Sequence, residues 1–185
     1  MNKQNFGMPC LAPVRVGGIV TWLENGAILL KNSDGNDPYH KIILHLTETT
    51  PVVDAVSGLP LDRNLRDGET VCAWVGPAMT LSLPPHAAAE VVAANIPADN
   101  SVPRYYQIAK VRQQVTSSAR PPLSHVRLVT TDGEELTVTD QAVLVPYLTR
   151  QIVTLDDLVQ GSYVLVWRSE DGMVSRVLLF PQGRI

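Results

Sequence analysis

The chain alternates short apolar runs with polar, turn-forming residues, and its apolar residues do not recur at the spacing of an amphipathic helix. The runs are rich in Val, Ile, Leu and Thr and are separated by Gly, Asp, Asn and Pro, which is typical of all-β proteins. Each half predicts three strands, an irregular or helical excursion that holds a short extended segment, and two more strands. The predicted extended segments are Val14–Leu23, Ala27–Lys31, Lys41–Leu46, Val52–Val53, Thr70–Val75, Ala89–Asn95, Tyr105–Val115, Val126–Thr130, Glu135–Val138, Val143–Val145, Tyr163–Arg168 and Val174–Phe180.

The two halves resemble each other in sequence as well as in the order of their elements. Residues 64–74 align without gaps on residues 157–167, and Leu, Gly, Val and Trp coincide at four positions. The shared segment predicts a helical turn that ends at a glycine with positive φ, followed by a strand that packs Val and Trp. Such turns also recur by chance in β proteins, but the coincidences favour a duplicated unit. We expect Trp74 and Trp167 to have a structural role in each barrel.

This order of elements matches the OB fold, a five-stranded, partly open Greek-key barrel. We therefore expect an all-β protein of two tandem small five-stranded OB-like Greek-key barrels with at most short helices. The predicted divisions are an N-terminal arm (1–15), a first barrel (16–96), a linker (97–103) and a second barrel (104–185). A pair of other small barrels would give a similar order, so the OB name rests on order alone.

The composition excludes some classes of protein. The 185 residues are 45% apolar and 18% charged, which is too apolar for a disordered chain. The net charge of −3 argues against nucleic-acid binding through bulk positive charge. The charge is uneven, since residues 1–99 hold six basic and ten acidic side chains, whereas residues 100–185 hold nine basic and eight acidic ones.

Cysteine usage and the N-terminus bear on the compartment. Cys10 and Cys72 lie far apart, which indicates neither a disulfide framework nor a cysteine metal motif. Pro9 and Pro13 break the first apolar run, so it does not fit a signal peptide. No apolar stretch reaches the length of a membrane helix. We expect a soluble, cytoplasmic protein without membrane insertion, or a secreted or cell-surface one if a leader has been removed.

Three segments of the first half form a recognisable set, namely residues 37–44, 49–58 and 76–86, the last with the sequence Gly-Pro-Ala-Met-Thr-Leu-Ser-Leu-Pro-Pro-His. Together they resemble a small β domain of Clostridia and other Firmicutes, which often accompanies copper-amine-oxidase-N-like stalk domains. The resemblance covers about residues 16–96. It implies an accessory β domain of an anaerobic Gram-positive bacterium, with no established activity and no catalytic residue to carry over.

Histidine and cysteine chemistry is weakly indicated. Strand alternation puts His40 and His45 on opposite faces, and neither these nor His86 and His125 show the ligand spacing of a zinc site. Surface or turn histidines are therefore favoured over a metal site. Cys72 falls in a predicted buried strand, where a thiol is usually inert. We expect no catalytic, cofactor-binding or metal-binding residue.

Two carboxylate pairs occupy corresponding places in the halves. Asp54 and Asp62 follow the third strand of the first half, and Asp156 and Asp157 lie at the matching place in the second. Such pairs could act as acid and base or bind calcium. For Asp156 and Asp157, a negative charge at the start of a helical turn after Thr154 is the better explanation.

The candidate ligand-binding residues are Tyr105, Tyr106, Lys110 and Arg112 on one predicted strand, and Trp22, which has no counterpart in the second half. The leading interpretation is a non-enzymatic binding or scaffolding protein with a protein partner or self-association. An alternative is single-stranded nucleic-acid or oligosaccharide binding on the OB-like face of the second barrel, where aromatic rings stack and cations contact phosphate. A metal-dependent hydrolase is the weakest alternative.

Overall fold

The computed structural model describes residues 12–62, 64–99, 101–116 and 123–181. Most of the predicted N-terminal arm, including Cys10, lies outside these residues. The described chain is all-β, as predicted, with twelve strands and one turn of 3-10 helix at Leu155–Asp157. No helix in these ranges is long and apolar enough to cross a bilayer.

The strands follow the predicted segments closely, with the largest differences where β5, β6 and β8 extend beyond the apolar runs. They are β1 (Val14–Trp22), β2 (Ile28–Lys31), β3 (Lys41–His45), β4 (Val52–Asp54), β5 (Thr70–Met79), β6 (His86–Ala94), β7 (Arg104–Thr116), β8 (Leu123–Thr130), β9 (Glu135–Thr139), β10 (Val143–Pro146), β11 (Tyr163–Arg168) and β12 (Val174–Leu179).

The first six strands form one sheet in the order β3-β2-β1-β5-β6-β4. A further parallel pairing of β3 with β6 closes five of these strands into a barrel, and β4 pairs in parallel with the far end of β6. The hairpin between β1 and β2 turns at Asn25 and Gly26, and Gly26 has φ 78°. Asn25 is not at positive φ, so the loop is not a two-residue type I′ turn; the Gly26 N–H donates to the Leu23 carbonyl at 3.0 Å, and the glycine takes the left-handed position of a longer hairpin loop.

The last six strands form a second sheet in the order β10-β12-β11-β7-β8-β9. All but one of the strand pairings of the first sheet recur six strands later, including the parallel pairing of β10 with β12. The two sheets differ at the pairing that closes the first barrel, which we call the seam. The described residues show no ladder between β9 and β12 that would match the one between β3 and β6. The topology confirms two related β units, of which the first is a closed barrel and the second is barrel-like.

The aligned segment behaves as predicted at its glycines. Gly68 has φ 79° and Gly161 has φ 87°, and each precedes the strand that carries the shared Trp. The helical turn is present only before Gly161, since the described residues before Gly68 form turns and coil. The connection between the sheets runs through residues 95–103, and the domain boundaries stay a prediction.

Three apolar clusters make up the core of the described part of the chain. Each sheet encloses one, and the third, which we call the inter-barrel core, lies between the outer faces of the two sheets. The inter-barrel core takes Val53, Ala55, Cys72, Trp74, Val91 and Ala93 from the first sheet and Tyr147, Leu165, Leu178 and Phe180 from the second. The central strands are therefore buried on both faces, and the two sheets form one packed body.

The shared tryptophans have a structural role, as predicted, but they pack in the inter-barrel core rather than inside the barrel that carries each one. Trp74 is 2% exposed and packs against Tyr105 of the second sheet at 6.1 Å between ring centroids. Trp167 donates its indole N–H to the carbonyl of Ala55 at 2.6 Å. A Cβ on Gly58 would lie 2.8 Å from the Trp167 ring. Alternation along β5 and β11 points these side chains away from the barrel interiors.

Candidate functional site

The candidate residues on β7 point in different directions because neighbouring side chains alternate between faces and because the strand has an irregularity. Its pairing with β8 shifts register between Ile108 and Lys110. Tyr106 and Ile108 therefore face the interior of the second barrel, whereas Lys110 and Arg112 are exposed. A bulge of this kind reverses the alternation of side chains beyond it. The four predicted residues of β7 thus do not form one surface.

Tyr105 lies in the inter-barrel core. Its ring stacks on Tyr163 at 5.6 Å between centroids and meets Phe180 edge-on at 5.8 Å. Its hydroxyl is hydrogen-bonded to the Glu90 carboxyl, whose pKa burial raises above the ordinary value of 4.5. The ring is used in packing, and this leaves little of it for stacking on a ligand.

Tyr106 is only 4% exposed and packs in the second barrel. Its hydroxyl donates to the Glu134 carboxylate at 2.5 Å. Glu134 also accepts hydrogen bonds from Arg104 and Arg168, so the carboxylate is surrounded by three donors. Burial, then the bond to Glu134, raises the pKa of Tyr106. With so little exposed area, this ring offers no face to a base or a sugar.

The exposed cations of β7 belong to a larger surface. Arg112 is paired with Arg127 across the β7–β8 ladder, and Lys110 is exposed two residues before Arg112. Side chains of directly paired residues project from the same face of a sheet. We call the Lys110, Arg112 and Arg127 surface the basic face. Glu135 of β9 partly offsets it, with a carboxylate oxygen 3.9 Å from Arg127.

Trp22, the remaining candidate, lines an open cleft of about 640 Å³ at one end of the first barrel. Its indole N–H donates to the carbonyl of Leu65 at 2.8 Å, and its backbone N–H donates to Asp67 at 2.7 Å. These bonds fix the ring with one face in the apolar core of the first barrel. Trp22 is thus half-buried at the edge of the cleft, and its role in binding a ligand stays a prediction.

Both barrels contribute to this cleft, which we call the rim cleft. The first barrel supplies mainly residues from the ends of β1 and β3 and from the segment between β4 and β5, and the second supplies Tyr147 and Leu148. Tyr147 is buried, whereas Leu148 is 70% exposed. The carboxylates of Glu48 and Asp62 also line the cleft. The described lining thus combines apolar and aromatic side chains with negative charge.

The cleft residues from the second barrel have no sequence signal of their own. Leu148 has φ 56°, a left-handed conformation that leucine rarely adopts. Its position depends on Tyr147, whose ring packs on Phe180 at 5.1 Å in the inter-barrel core. Only the docking of the two sheets brings Tyr147 and Leu148 to the first barrel.

Cys72 is buried, as predicted. Burial raises the pKa of its thiol, and the nearby Arg15 guanidinium opposes the rise. The Arg15 Nε donates to the sulfur at 3.1 Å. A thiol that stays protonated is a poor nucleophile. The structure therefore agrees with a packing role for this cysteine.

One carboxylate of each pair has a local structural role. Asp157 accepts hydrogen bonds from the backbone N–H and the hydroxyl of Thr154, at 2.7 and 2.9 Å, which confirms a negative charge at the start of the helical turn. Asp54 accepts from Ser57 and Asn95, and these bonds lower its pKa although partial burial opposes the shift. Asp54 and Asp157 thus each stabilise the loop that holds them.

Two histidines that sequence reasoning left apart lie together. His45 Nε2 is 3.0 Å from His86 Nδ1, and the rings are nearly coplanar, with 22° between their planes. The parallel pairing of β3 with β6 brings them together, because it sets Ile43 opposite His86. Within the described ranges, no group of three or more His, Cys, Asp or Glu side chains could hold a metal ion.

Comparisons of the chain with protein-family models, with curated proteins and with solved structures find no match. The resemblance of residues 16–96 to the Firmicutes β domain stays a prediction. Function must therefore follow from the chemistry of the rim cleft, the basic face and the histidine pair.

Proposed function

We propose that the protein is a non-enzymatic binding module whose rim cleft takes an apolar ligand with a positive charge, such as a basic segment of a partner protein. The observation that carries this proposal is the construction of the cleft from both barrels. Its volume of about 640 Å³ lies within the range of ligand sites, roughly 300–1,000 Å³. The inter-barrel core holds the two walls in a fixed relation.

The chemistry of the lining supports the choice of ligand. Trp22, Leu61 and Tyr147 supply apolar and aromatic area, while Glu48 and Asp62 supply negative charge. Complementary charge favours encounter with a cationic partner and disfavours an anionic one. A rigid aromatic side chain such as Trp22 binds with little loss of conformational entropy.

A non-enzymatic role is favoured by the use of the reactive groups in packing and turns. Cys72 is buried, Asp54 holds a loop, and Asp157 caps a helical turn. We further propose that both halves are OB-like. The closure of β1, β2, β3, β6 and β5 in that order, and the same pairings in the second half apart from the seam, support this interpretation.

The proposal is tested with two labelled peptides, one of alternating leucine and lysine and one of alternating leucine and glutamate. We expect the lysine peptide alone to bind, measured by fluorescence anisotropy. Leu148→Lys should weaken binding about tenfold or more, because it adds bulk and positive charge at the cleft. Leu81→Lys is the matched control, since Leu81 is also exposed and does not line the cleft. Equal binding of both peptides, or none at millimolar concentration, would refute the proposal.

A second function, binding of a single-stranded nucleic acid or an anionic oligosaccharide, is favoured by the basic face. Lys110, Arg112 and Arg127 are three cations on one side of the β7–β8 ladder. The described rings of Tyr105 and Tyr106 are packed elsewhere, so recognition would depend on charge. This function concerns the second barrel and is independent of the rim cleft.

The salt dependence of binding to a labelled oligothymidine tests this second function. With about 0.7 counterions released per contact, three phosphate contacts predict a slope near −2 for log K against log salt concentration. Arg112→Ala should reduce the slope by about 0.7, and Lys41→Ala, which removes an exposed cation of the first barrel, should leave it unchanged. Binding of a heparin oligosaccharide but not oligothymidine would assign the face to a glycan, and no binding of either at low salt would exclude both.

A further inference from the structure

We propose that His45 and His86 form a chelating site for a divalent late transition metal ion, with Ni²⁺ or Cu²⁺ as the best fit. The site is independent of the rim cleft and of the basic face. Imidazole nitrogen is a preferred ligand of these ions. Two imidazoles on fixed backbone bind a metal better than either one alone, because the second ligand is already in place.

The two nitrogens lie at hydrogen-bonding distance, and a bound metal ion requires a similar separation. With metal–nitrogen bonds of about 2.1 Å, two ligands at 90° lie about 3.0 Å apart, and two ligands at a tetrahedral angle lie about 3.4 Å apart. His45 Nε2 and His86 Nδ1 are 3.0 Å apart. Both spacings lie within reach of the rings once they rotate, so the choice of Ni²⁺ or Cu²⁺ rests on the order of affinity of nitrogen ligands for divalent ions, which rises through Ni²⁺ to Cu²⁺.

The backbone beneath the pair is well fixed. The backbone N–H of His86 donates to the Thr80 hydroxyl at 2.8 Å, and the His86 carbonyl accepts from the Thr80 backbone N–H at 3.0 Å. On the other strand, the Ile43 N–H donates to the carbonyl of Pro85 at 2.9 Å. The seam of the closed barrel therefore holds both Cα positions, while the rings stay partly open to solvent and can rotate toward a shared ion.

The proton balance is simple. A neutral pair holds one proton between the rings and one on an outer nitrogen. The ion takes the place of the shared proton, which moves to the outer nitrogen of the same ring, so each imidazole keeps one proton and no proton leaves. An imidazolium has no lone pair to give, so binding should weaken as the pH falls. Water completes the coordination, since the described residues place no third histidine, cysteine or carboxylate in the group.

Titration of the full chain with Ni²⁺ tests the site, because Ni²⁺ does not oxidise thiols as Cu²⁺ does. We expect one ion per chain by calorimetry, with the affinity reduced about tenfold or more in His45→Asn and to a similar extent in His86→Asn. His40→Asn and His125→Asn are the controls and should keep the affinity. Circular dichroism confirms that each variant is folded.

A second measurement locates the ion without any substitution. Ni²⁺ broadens the NMR signals of nearby nuclei, so substoichiometric Ni²⁺ should remove the ring signals of His45 and His86 before those of His40 and His125. Loss of affinity in only one of the two site variants would indicate a single-histidine contact. Equal broadening of all four rings, or no measurable affinity at neutral pH, would likewise overturn the proposal.

Discussion

Truncation of Phe180 to alanine is the strongest test of the inter-barrel core. Phe180 is 2% exposed, and its ring contacts Tyr147 at 5.1 Å and Tyr105 at 5.8 Å. Its backbone N–H donates to the carbonyl of Tyr163 at 3.0 Å, so the backbone should stay in place, and the missing ring should leave a cavity. Truncation of a buried Phe to Ala lowers the free energy of unfolding by about 3–5 kcal/mol, and the two lost aromatic contacts place the loss here near 4 kcal/mol.

The expected loss is large compared with the stability of a typical domain, about 5–15 kcal/mol. At about 2–4 °C per kcal/mol for a chain of this size, Phe180→Ala should lower the Tm by about 8–16 °C. Thermal unfolding followed by circular dichroism measures this shift. Leu81→Ala is the control, because Leu81 is fully exposed and should change the free energy of unfolding by less than about 0.5 kcal/mol.

Hydrogen exchange tests whether the loss reaches both sheets. Phe180 follows β12 of the second sheet, whereas the described residues of β2 and β3 contribute nothing to the inter-barrel core. If the sheets unfold as one unit, the amides of β2 and β3 should lose as much protection as those of β8. Unchanged protection in β2 and β3, together with a loss in β8, would refute the single packed body.

Two further substitutions test particular contacts. Burial raises the pKa of Glu90, so the folded state favours the protonated acid. The stability that the protonated side chain contributes is fully present below pH 4.5 and is lost as the pH rises through the pKa of the folded state. Glu90→Gln should therefore be more stable than the wild type at pH 7 but not at pH 4, as measured by urea unfolding at both values; an equal difference at both would contradict this. A Cβ on Gly18 would lie 2.5 Å from the Lys31 carbonyl oxygen. Gly18→Ala should therefore lower the free energy of unfolding, measured by chemical denaturation, by about 1–3 kcal/mol. Gly35→Ala, with no atom within 4 Å, should be nearly neutral, and equal effects of the two would contradict the close approach.

The strands and their duplication could be predicted from sequence because both depend on local signals. Apolar runs between turn residues marked all twelve strands, and Gly68 and Gly161 marked the turns before β5 and β11. The all-β class and the pair of related units are confirmed. The OB-like name and the domain boundaries stay predictions.

A different kind of sequence pattern indicates that the sheets dock on one another. β5 and β11 are apolar at successive positions rather than at alternate ones, and such runs are typical of strands buried on both faces. That pattern indicates a second contact surface, but it does not identify the partner. The same pattern would suit a dimer, so the inter-barrel position of Trp74 and Trp167 needed the structure.

The candidate site was harder to predict because it depends on irregularities and on pairing between distant strands. The bulge between Ile108 and Lys110 separates the tyrosines of β7 from its cations, and no residue in the sequence marks it. The histidine pair lay outside the predicted strands in part, because the predicted segment begins at Ala89, whereas β6 begins at His86 and pairs in parallel with β3.

The duplicated units differ most where their first strands pass the core. Val16 pairs with Ala73 and Arg104 pairs with Val166, so Gly18 in the first unit corresponds to Tyr106 in the second. Gly18 has no side chain and lets β1 approach the end of β2 closely, whereas Tyr106 places a phenol ring inside the second unit. The close approach at Gly18 is therefore not possible at Tyr106, whose ring occupies the interior of the second unit. β3 joins β6 in the first unit, while β9 and β12 lie near each other without a described ladder. The closed seam sets Ile43 opposite His86 and His45 opposite Ala88, so the two histidines lie diagonally across it and their pairing depends on the seam being closed.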